Sequence, residues 1–134
     1  MPLVERFEFH HVDGAAGSIV IAQSELDVPF PIRRVYFLHG VPATQVRGAH
    51  AHRKLIQIAV CARGSCRFRL DNGIETATVE LSSPHEGIVI RSMVWREMSD
   101  FSDDCVLLVL ASEHYDEGDY IRSYEEFKNA VAAG

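Results

Sequence analysis

Residues 55–81 have the sequence LIQIAVCARGSCRFRLDNGIETATVEL, and this stretch decides the fold class. Residues 55–62 are almost wholly apolar, which is typical of a short strand buried on both faces. Next, Cys66, Phe68 and Leu70 alternate with two arginines, which gives the period of two of a half-buried strand. The stretch therefore predicts neighbouring β-strands.

A hairpin turn is predicted at Asp71-Asn72-Gly73, because a type I′ turn needs positive φ at both central positions and Asn-Gly provides it. We expect the return strand over residues 74–81. Short apolar or alternating runs predict further strands at residues 18–22, 32–38, 87–90, 93–98 and 105–111. Such closely spaced strands, with Gly, Pro, Asn and Asp between them, indicate an antiparallel sandwich or barrel.

The C-terminal end differs from the rest of the chain. Ser123 and Glu126 form a capping box, and Tyr124, Phe127 and Val131 fall on one helical face. The polar stretch 112–119 before this helix is expected to be a loop. We therefore predict a mostly β fold, a jelly-roll β-barrel closed by a short C-terminal α-helix, in a single domain of residues 1–134.

The composition argues against several classes of protein. A net charge of −6 disfavours a nucleic-acid binder, which would normally present a basic face. No apolar run approaches the roughly 18 residues of a membrane span, and the N-terminus MPLVERFEFHH has charges where a signal peptide is apolar. Cys61, Cys66 and Cys105 lie in apolar or alternating stretches typical of reduced, buried thiols. We expect a cytoplasmic protein.

The segment Arg47-Gly-Ala-His50-Ala-His52-Arg53 carries the strongest indication of chemistry. Two histidines at i and i+2 on a strand point to the same side, while the intervening alanines face the other way. Such a pair can supply two metal ligands, or an acid and a base near neutral pH.

The cupin jelly roll is the fold in which this His-x-His pair is best known, and its usual metal site has two further ligands. Gln57 stands where the first cupin motif has a glutamate, and Arg96 stands where the second motif has a histidine. Arginine keeps its proton and cannot ligate a divalent metal, whereas a catalytic metal normally has three protein ligands. We therefore predict no metal at this pair.

The sequence resembles the family of dTDP-4-keto-6-deoxyglucose 3,4-ketoisomerases, which are small cupins. The resemblance extends from about residue 17 to residue 128, and its most specific parts are the Arg-Gly-x-His-Ala-His core and the Tyr-Asp-x-x-Asp-Tyr-Ile-Arg tail. The matching segments are RRVYFL at 33–38, RGAHAHRKL at 47–55, Gln57, GS at 64–65, LDNG at 70–73, VWREM at 94–98, VLLVLAS at 106–112 and YDEGDYIR at 115–122.

The resemblance implies an isomerase that works without metal or other cofactor, as a homodimer with exchanged N-terminal strands. It implies a substrate of 4-keto-6-deoxyglucose linked to thymidine diphosphate, which is converted to a 3-keto-6-deoxyhexose through an enediol. The catalytic histidines of the family map onto His50 and His52, one to abstract the C3 proton and the other to act at C4. The expected substrate-binding residues are Tyr36 for the hexose, Arg47 and Arg33 for the diphosphate, and also Arg96 and Gln57.

Three other interpretations stay open at this stage. The first is a metal-dependent cupin enzyme, against which Gln57 and Arg96 argue. The second is a non-catalytic cupin that binds a sugar nucleotide without turnover. The third is an epimerase of the deoxysugar pathways, which usually relies on a His–Asp dyad and a distant tyrosine.

Overall fold

The computed structural model describes residues 2–134, and its two main layers are antiparallel five-stranded sheets packed face to face. The first sheet has the order β1-β9-β6-β11-β4. Its strands are β1 Glu5–Glu8, β4 Arg34–His39, β6 Gln57–Arg63, β9 Glu86–Ile90 and β11 Val106–Ala111. The second sheet has the order β12-β5-β10-β7-β8. Its strands are β5 Arg47–His52, β7 Cys66–Asp71, β8 Thr76–Leu81, β10 Trp95–Ser99 and β12 Tyr120–Ile121.

Two further elements lie outside these sheets. A separate hairpin joins β2 His10–Gly14 to β3 Gly17–Ile21. The helix α1, Tyr124–Ala133, follows β12. The predicted mostly β jelly roll with one C-terminal helix is thereby confirmed, although the two sheets do not close into a continuous barrel. Of the helices in residues 2–134, none is long and apolar enough to cross a membrane.

The core lies between the two sheets and is built from the alternation that the sequence displays. Cys66, Phe68 and Leu70 of β7 are buried, and the arginines between them are exposed. Ile88 and Ile90 of β9 meet them from the opposite sheet in the same apolar cluster. The burial of this apolar surface is the main stabilising contribution to such a fold.

The hairpin between β7 and β8 forms where it is predicted, but its turn is longer than a type I′ turn. The return strand begins at Thr76, which pairs with Asp71, so residues 72–75 form the loop. Only Gly73, at φ 91°, has a positive φ in this loop. Asn72 is held differently, because its side-chain oxygen accepts hydrogen bonds from the backbone N–H groups of Ile74 and Glu75, at 2.9 Å each.

The helix α1 begins as the capping box predicts. The Ser123 hydroxyl accepts a hydrogen bond from the backbone N–H of Glu126 over 3.3 Å. Phe127 is fully buried against Ala51 and Trp95, so the helix covers the outer face of the second sheet. Sequence patterns did not predict strands β1 and β2, whose alternation includes charged and histidine side chains on the exposed positions.

Candidate active site

The histidine pair lies on the inner face of β5, as predicted from its spacing. The rings of His50 and His52 are 4.8 Å apart between centroids and nearly perpendicular. Ala51, between them, faces outward and is buried with Trp95 under α1. Strand alternation thus separates a chemically active inner face from an apolar outer face.

A β-bulge in β5 shapes the entrance to this inner face. Arg96 of β10 pairs with His50, but the next residue, Glu97, pairs with Gly48, so Ala49 is the extra residue. Gly48 and Ala49 both have positive φ, 88° and 46°. The positive φ at position 48 favours glycine, and a Cβ atom there would also lie 3.3 Å from the carbonyl oxygen of Arg96.

His50 carries its proton on a defined nitrogen. Its Nδ1 lies 2.7 Å from the carbonyl oxygen of Gly48, and because a carbonyl only accepts, Nδ1 is the donor. The lone pair of Nε2 is then left free, and His50 lines the open cleft described below. Burial and, secondarily, the charge of Arg96 lower the pKa of His50 to about 4. His50 is therefore a neutral base at physiological pH.

His52 has a different environment. It is fully buried behind His50 and Tyr120, with the Tyr120 ring 4.3 Å away between centroids. Neither ring nitrogen of His52 has a hydrogen-bond partner among residues 2–134, and Oδ2 of Asp119 lies 3.4 Å from Nδ1. Burial and the charge of Arg96 hold the pKa of His52 far below its usual range. This imidazole is neutral, and it does not line the cleft.

The carboxylate of Asp119 mainly accepts hydrogen bonds from backbone N–H groups. Its Oδ1 accepts a hydrogen bond from the N–H of Lys54 over 2.8 Å, and its Oδ2 accepts one from the N–H of Leu55 over 3.2 Å. These bonds fix the chain directly after β5. The carboxylate therefore sets where the strand that carries both histidines ends.

Three side chains form a hydrogen-bonded chain that leads into the cleft. Nη1 of Arg96 donates to Oε1 of Gln57 over 2.6 Å, and Nε2 of Gln57 donates to the hydroxyl oxygen of Tyr36 over 2.8 Å. Arg96 is 1% exposed, and its Nε and Nη2 donate to the carbonyl oxygen of Val94. Burial lowers the pKa of Arg96 to about 10, which leaves it charged at neutral pH.

The hydrogen bonds from Arg96 through Gln57 leave the Tyr36 hydroxyl free to act as a donor. Because its oxygen already accepts from Gln57, its own proton is free for a group in the cleft. Burial raises the pKa of Tyr36, so the phenol keeps that proton. Hydrogen bonds in such a chain polarise one another, and the Arg96 charge at its far end adds to this effect.

The cleft itself has a volume of about 440 Å³ and opens between the two sheets. His50 and Tyr36 lie in its wall together with three arginines, Arg34, Arg47 and Arg122. The bulge at Ala49 explains the presence of Arg47, since strict alternation would place Arg47 and His50 on opposite faces. The remaining lining residues are Leu38, Gly48, Met98 and Tyr120. A neutral base, a phenol and three guanidinium groups therefore share one cleft.

Two of the arginines are held by aromatic rings. The guanidinium carbon of Arg34 lies 5.4 Å from the ring centroid of Tyr36 and 5.7 Å from that of Tyr115. Nε and Nη2 of Arg34 are buried and have no hydrogen-bond partner within residues 2–134. The guanidinium of Arg122 lies 4.2 Å from the Tyr120 ring centroid and forms a two-pronged ion pair with Glu117, at 2.8 and 2.9 Å.

Arg33, which was expected to contact the diphosphate together with Arg47, does not line this cleft. Its Nη1 donates to the carbonyl oxygen of Ser112 over 2.8 Å and pairs with Glu113 over 3.2 Å. The reason is strand parity, because Arg34, Tyr36 and Leu38 share one face of β4 and Arg33 precedes them. The same parity could have identified Arg34 from the sequence.

The residues around the histidine pair do not fit a metal site. Gln57 and Arg96, at the positions of the two missing cupin ligands, are hydrogen-bonded to each other. A guanidinium has no lone pair available for a metal ion. Within residues 2–134, His50 and His52 belong to no group of three converging His, Cys, Asp or Glu ligand atoms. Gln57 and Arg96 therefore do not complete the usual four-ligand cupin set in this arrangement.

Comparison with known proteins gives a consistent result. Residues 4–132 match the family model described as FdtA: WxcM-like, C-terminal. A TDP-4-oxo-6-deoxy-alpha-D-glucose-3,4-oxoisomerase from Aneurinibacillus thermoaerophilus is 45% identical over 124 residues, which are 92% of this chain and 89% of that protein.

Solved structures of high similarity span nearly the same length. One is a histidine-to-asparagine mutant of the 3,4-ketoisomerase QdtA from Thermoanaerobacterium thermosaccharolyticum in complex with TDP-4-keto-6-deoxyglucose. It has a TM-score of 0.95 and 39% identity, and the match covers 99% of this chain and 96% of that one. Another is the TDP-quinovose 3,4-ketoisomerase WlaRB from Campylobacter jejuni, with a TM-score of 0.90, 36% identity and coverage of 96% and 99%.

Proposed function

The chain belongs to the FdtA (WxcM-like, C-terminal) family, and we propose that it is a sugar-nucleotide 3,4-ketoisomerase that acts on TDP-4-keto-6-deoxyglucose. The observation that carries the proposal is the pairing, in one cleft, of a neutral His50 with a free Nε2 lone pair and a Tyr36 phenol with a free proton. An exchange of keto and hydroxyl groups between adjacent carbons needs a base and an oxyanion donor of this kind.

Proton removal from C3 is the first step that we assign. Nε2 of His50 takes the C3 proton, which the neighbouring C4 carbonyl acidifies. The C–H electrons form a C3–C4 double bond, and the carbonyl π electrons move onto the C4 oxygen. The C4 oxygen then takes up a proton, which gives the enediol. The enediol collapses when C4 receives a proton and the C3 hydroxyl loses one, which leaves the ketone at C3; the two protons removed equal the two delivered.

Tyr36 is the candidate donor to the C4 oxygen. Negative charge develops on that oxygen in the transition state, and a preorganised donor there typically contributes about 10²–10³-fold to the rate. Gln57 and Arg96 act through Tyr36 in this proposal, because they hold its oxygen and polarise its hydroxyl. Arg96 and Gln57 are thus positioning residues, and neither lines the cleft.

Arg34, Arg47 and Arg122 are the candidate ligands of the diphosphate. Guanidinium groups match phosphate oxygens in two-pronged hydrogen bonds. Arg34 supports this assignment best, since a charged side chain with buried, unpaired nitrogens lacks the anion that would offset its desolvation. Local arginines can attract an anionic substrate although the chain has a net charge of −6.

His52 is assigned a supporting role. The His52 ring is fully buried against Tyr120 and His50 and does not line the cleft. We infer that it positions the His50 ring and the Tyr120 wall, whereas His50 alone of the two histidines touches the substrate.

Metal independence, a homodimeric state and a cytoplasmic location are also part of the proposal, and each is supported by a different feature of the molecule. Metal independence is supported by the Arg96–Gln57 pair at the usual ligand positions. A homodimer is supported by exposed apolar side chains on the hairpin and on the β4 edge, namely Val12, Ile19, Val35 and Phe37. Exchange of N-terminal strands would replace the β1–β9 pairing within one chain by the same pairing between chains. Three free cysteines agree with a cytoplasmic location.

Conversion of TDP-4-keto-6-deoxyglucose to a 3-keto product, followed by proton NMR, tests the proposal. We expect product formation that resists a strong chelator such as EDTA. Binding of TDP-4-keto-6-deoxyglucose without any product would instead indicate a binding protein. Activity that is lost with EDTA and restored by a divalent metal would contradict metal independence.

A further inference from the structure

A second cluster of polar side chains lies where the N-terminal hairpin joins the first sheet. It consists of Glu8 at the end of β1, His11 in β2 and His85 in the turn before β9. None of the three lines the catalytic cleft. The imidazole rings of His11 and His85 stack, with centroids 3.9 Å apart and an interplanar angle of 16°.

The nitrogen atoms of both rings converge on one carboxylate oxygen. Oε1 of Glu8 lies 3.0 Å from Nδ1 of His85 and 3.4 Å from Nε2 of His11. Zinc ligands at about 2.0–2.2 Å in a tetrahedron stand roughly 3.4 Å from one another. Two of the three donor-atom separations are therefore close to those of a zinc site, and all three donor atoms lie within 4.8 Å of one another. Because the two rings are stacked and an imidazole lone pair lies in the plane of its ring, metal binding requires one ring to turn about its Cβ–Cγ bond.

The opposite nitrogen of His11 is also held. Nδ1 of His11 lies 3.1 Å from Oδ2 of Asp13, and since a carboxylate accepts, Nδ1 carries the proton. Nε2 is then left unprotonated and available to a metal. Carboxylate–histidine–metal arrangements of this kind fix the ring and strengthen the ligand.

We propose that Glu8, His11 and His85 form a binding site for a divalent transition metal such as Zn²⁺, with Asp13 as the outer-shell partner of His11. Two imidazoles and one carboxylate are a donor set that zinc accepts, with water as the fourth ligand. In the metal-free protein Nδ1 of His85 donates a hydrogen bond to Oε1 of Glu8 over 3.0 Å, so metal binding requires the proton of His85 to move to Nε2. The cluster is half-exposed, so an ion reaches it from solvent without opening the core.

Such a metal would have a structural role. The β2–β3 hairpin forms a sheet of its own, and in the described part of the chain, residues 2–134, it has no hydrogen-bonded ladder with the two main sheets. A metal held by β1, β2 and the turn before β9 would fix the hairpin to the body of the fold. Because the metal binds the folded state only, it would raise the unfolding temperature as its concentration rises above Kd.

Isothermal titration of the full chain with ZnCl₂, after removal of any tag, tests the site. We expect one zinc per chain, whether the three ligands come from one chain or from two chains with exchanged N-terminal strands. His85→Ala and Glu8→Gln should each weaken binding at least 100-fold, and Asp13→Asn should weaken it by about 10-fold. His10→Ala is the matched control, since His10 is an exposed neighbour on β2 outside the cluster.

Thermal unfolding with and without zinc provides the second measurement. Zinc should raise Tm of the wild type and of His10→Ala but not of His85→Ala or Glu8→Gln, while all four should share nearly the same zinc-free Tm. The inference is overturned if the wild type binds no zinc, or if the His85→Ala and Glu8→Gln variants bind it as tightly as His10→Ala.

Discussion

The hydroxyl oxygen of Tyr36 accepts a hydrogen bond from the amide nitrogen of Gln57 over 2.8 Å. This contact gives the amide at position 57 a purpose that a glutamate could not serve, because an ionised carboxylate only accepts hydrogen bonds. The amide accepts from Arg96 with one end and donates to Tyr36 with the other. The departure from the usual cupin ligand set is thus coupled to the orientation of the phenol.

Removing the phenol proton should slow the reaction without preventing binding. Tyr36→Phe keeps the ring that packs beside Arg34 but removes the donor to the C4 oxygen. We expect kcat to fall by about 10²–10³-fold, with less than a threefold change in the Kd of TDP. Steady-state kinetics and TDP titration measure both values. An unchanged kcat would show that Tyr36 does not stabilise the developing oxyanion.

The pH dependence of kcat/KM should reflect the low pKa of His50. A base with a pKa of about 4 is already unprotonated above pH 5, so activity should stay level between about pH 5.5 and 8 and fall only as the pH approaches 4. A fall centred near pH 6.5, the ordinary value for histidine, would contradict the assigned environment of His50.

Arg96→Met should shift the acidic limb of the pH profile, which is the fall in kcat/KM near pH 4, to a different pH. The substitution removes the second contributor to the lowered pKa of His50 and leaves burial, the first, in place. Protonation of His50 then becomes easier, and the limb should shift to higher pH while remaining below 6.5. The pH profile distinguishes this effect from simple damage, which would lower the plateau without moving the limb.

Arg34 and Arg33 are neighbours in sequence, but we expect only Arg34 to contribute to the binding of TDP. Arg34→Ala removes an unpaired guanidinium from the cleft and should raise the Kd of TDP by roughly 10- to 100-fold, since hydrogen bonds to charged groups contribute about 1.5–3 kcal/mol. Arg33→Ala is the control and should bind TDP as the wild type does, because Arg33 pairs with Ser112 and Glu113 outside the cleft. Equal losses in both variants would contradict the assigned anion site.

The two histidines should differ in the size of their effects. His52→Asn disturbs the packing behind His50, and we expect kcat to fall by about 10-fold, well below the 10²–10⁴-fold typical of a general base. TDP affinity should be unchanged. Single-turnover rates of His50→Asn and His52→Asn should be compared. A greater loss of rate in His52→Asn than in His50→Asn would make His52, and not His50, the general base.

Much of the fold could be predicted from local patterns. The positions of the β7–β8 hairpin and of the capped helix α1 were correctly predicted, because strand alternation, turn residues and the Ser–Glu capping box are local in sequence. The type I′ turn was wrong, since the loop spans residues 72–75 and only Gly73 in it has a positive φ. The bulge at Ala49 could not be predicted, since it is defined by the pairing of β5 with β10 and alanine at φ 46° leaves no sequence pattern.

The candidate site was predicted only in part for the same reason. His50, Tyr36 and Arg47 were predicted, and they line one cleft. That His52 is buried behind His50 depends on Tyr120, which β12 adds beside β5 from a distant part of the chain. Arg34 could have been predicted to line the cleft, because it lies two residues before Tyr36 and so shares its face of β4. Arg122 could not, because its place beside the cleft depends on where β12 pairs in the fold.

Loss of the C3 hydrogen in D₂O tests the central claim, that Nε2 of His50 removes the C3 proton, most directly. Proton NMR would follow TDP-4-keto-6-deoxyglucose with the wild type, His50→Asn and His52→Asn. The account predicts that the C3 signal and the 3-keto product change with time in the wild type and in His52→Asn, and that both processes nearly stop in His50→Asn although it still binds TDP. C3 exchange at the wild-type rate in folded His50→Asn would contradict the account and assign the base to another residue.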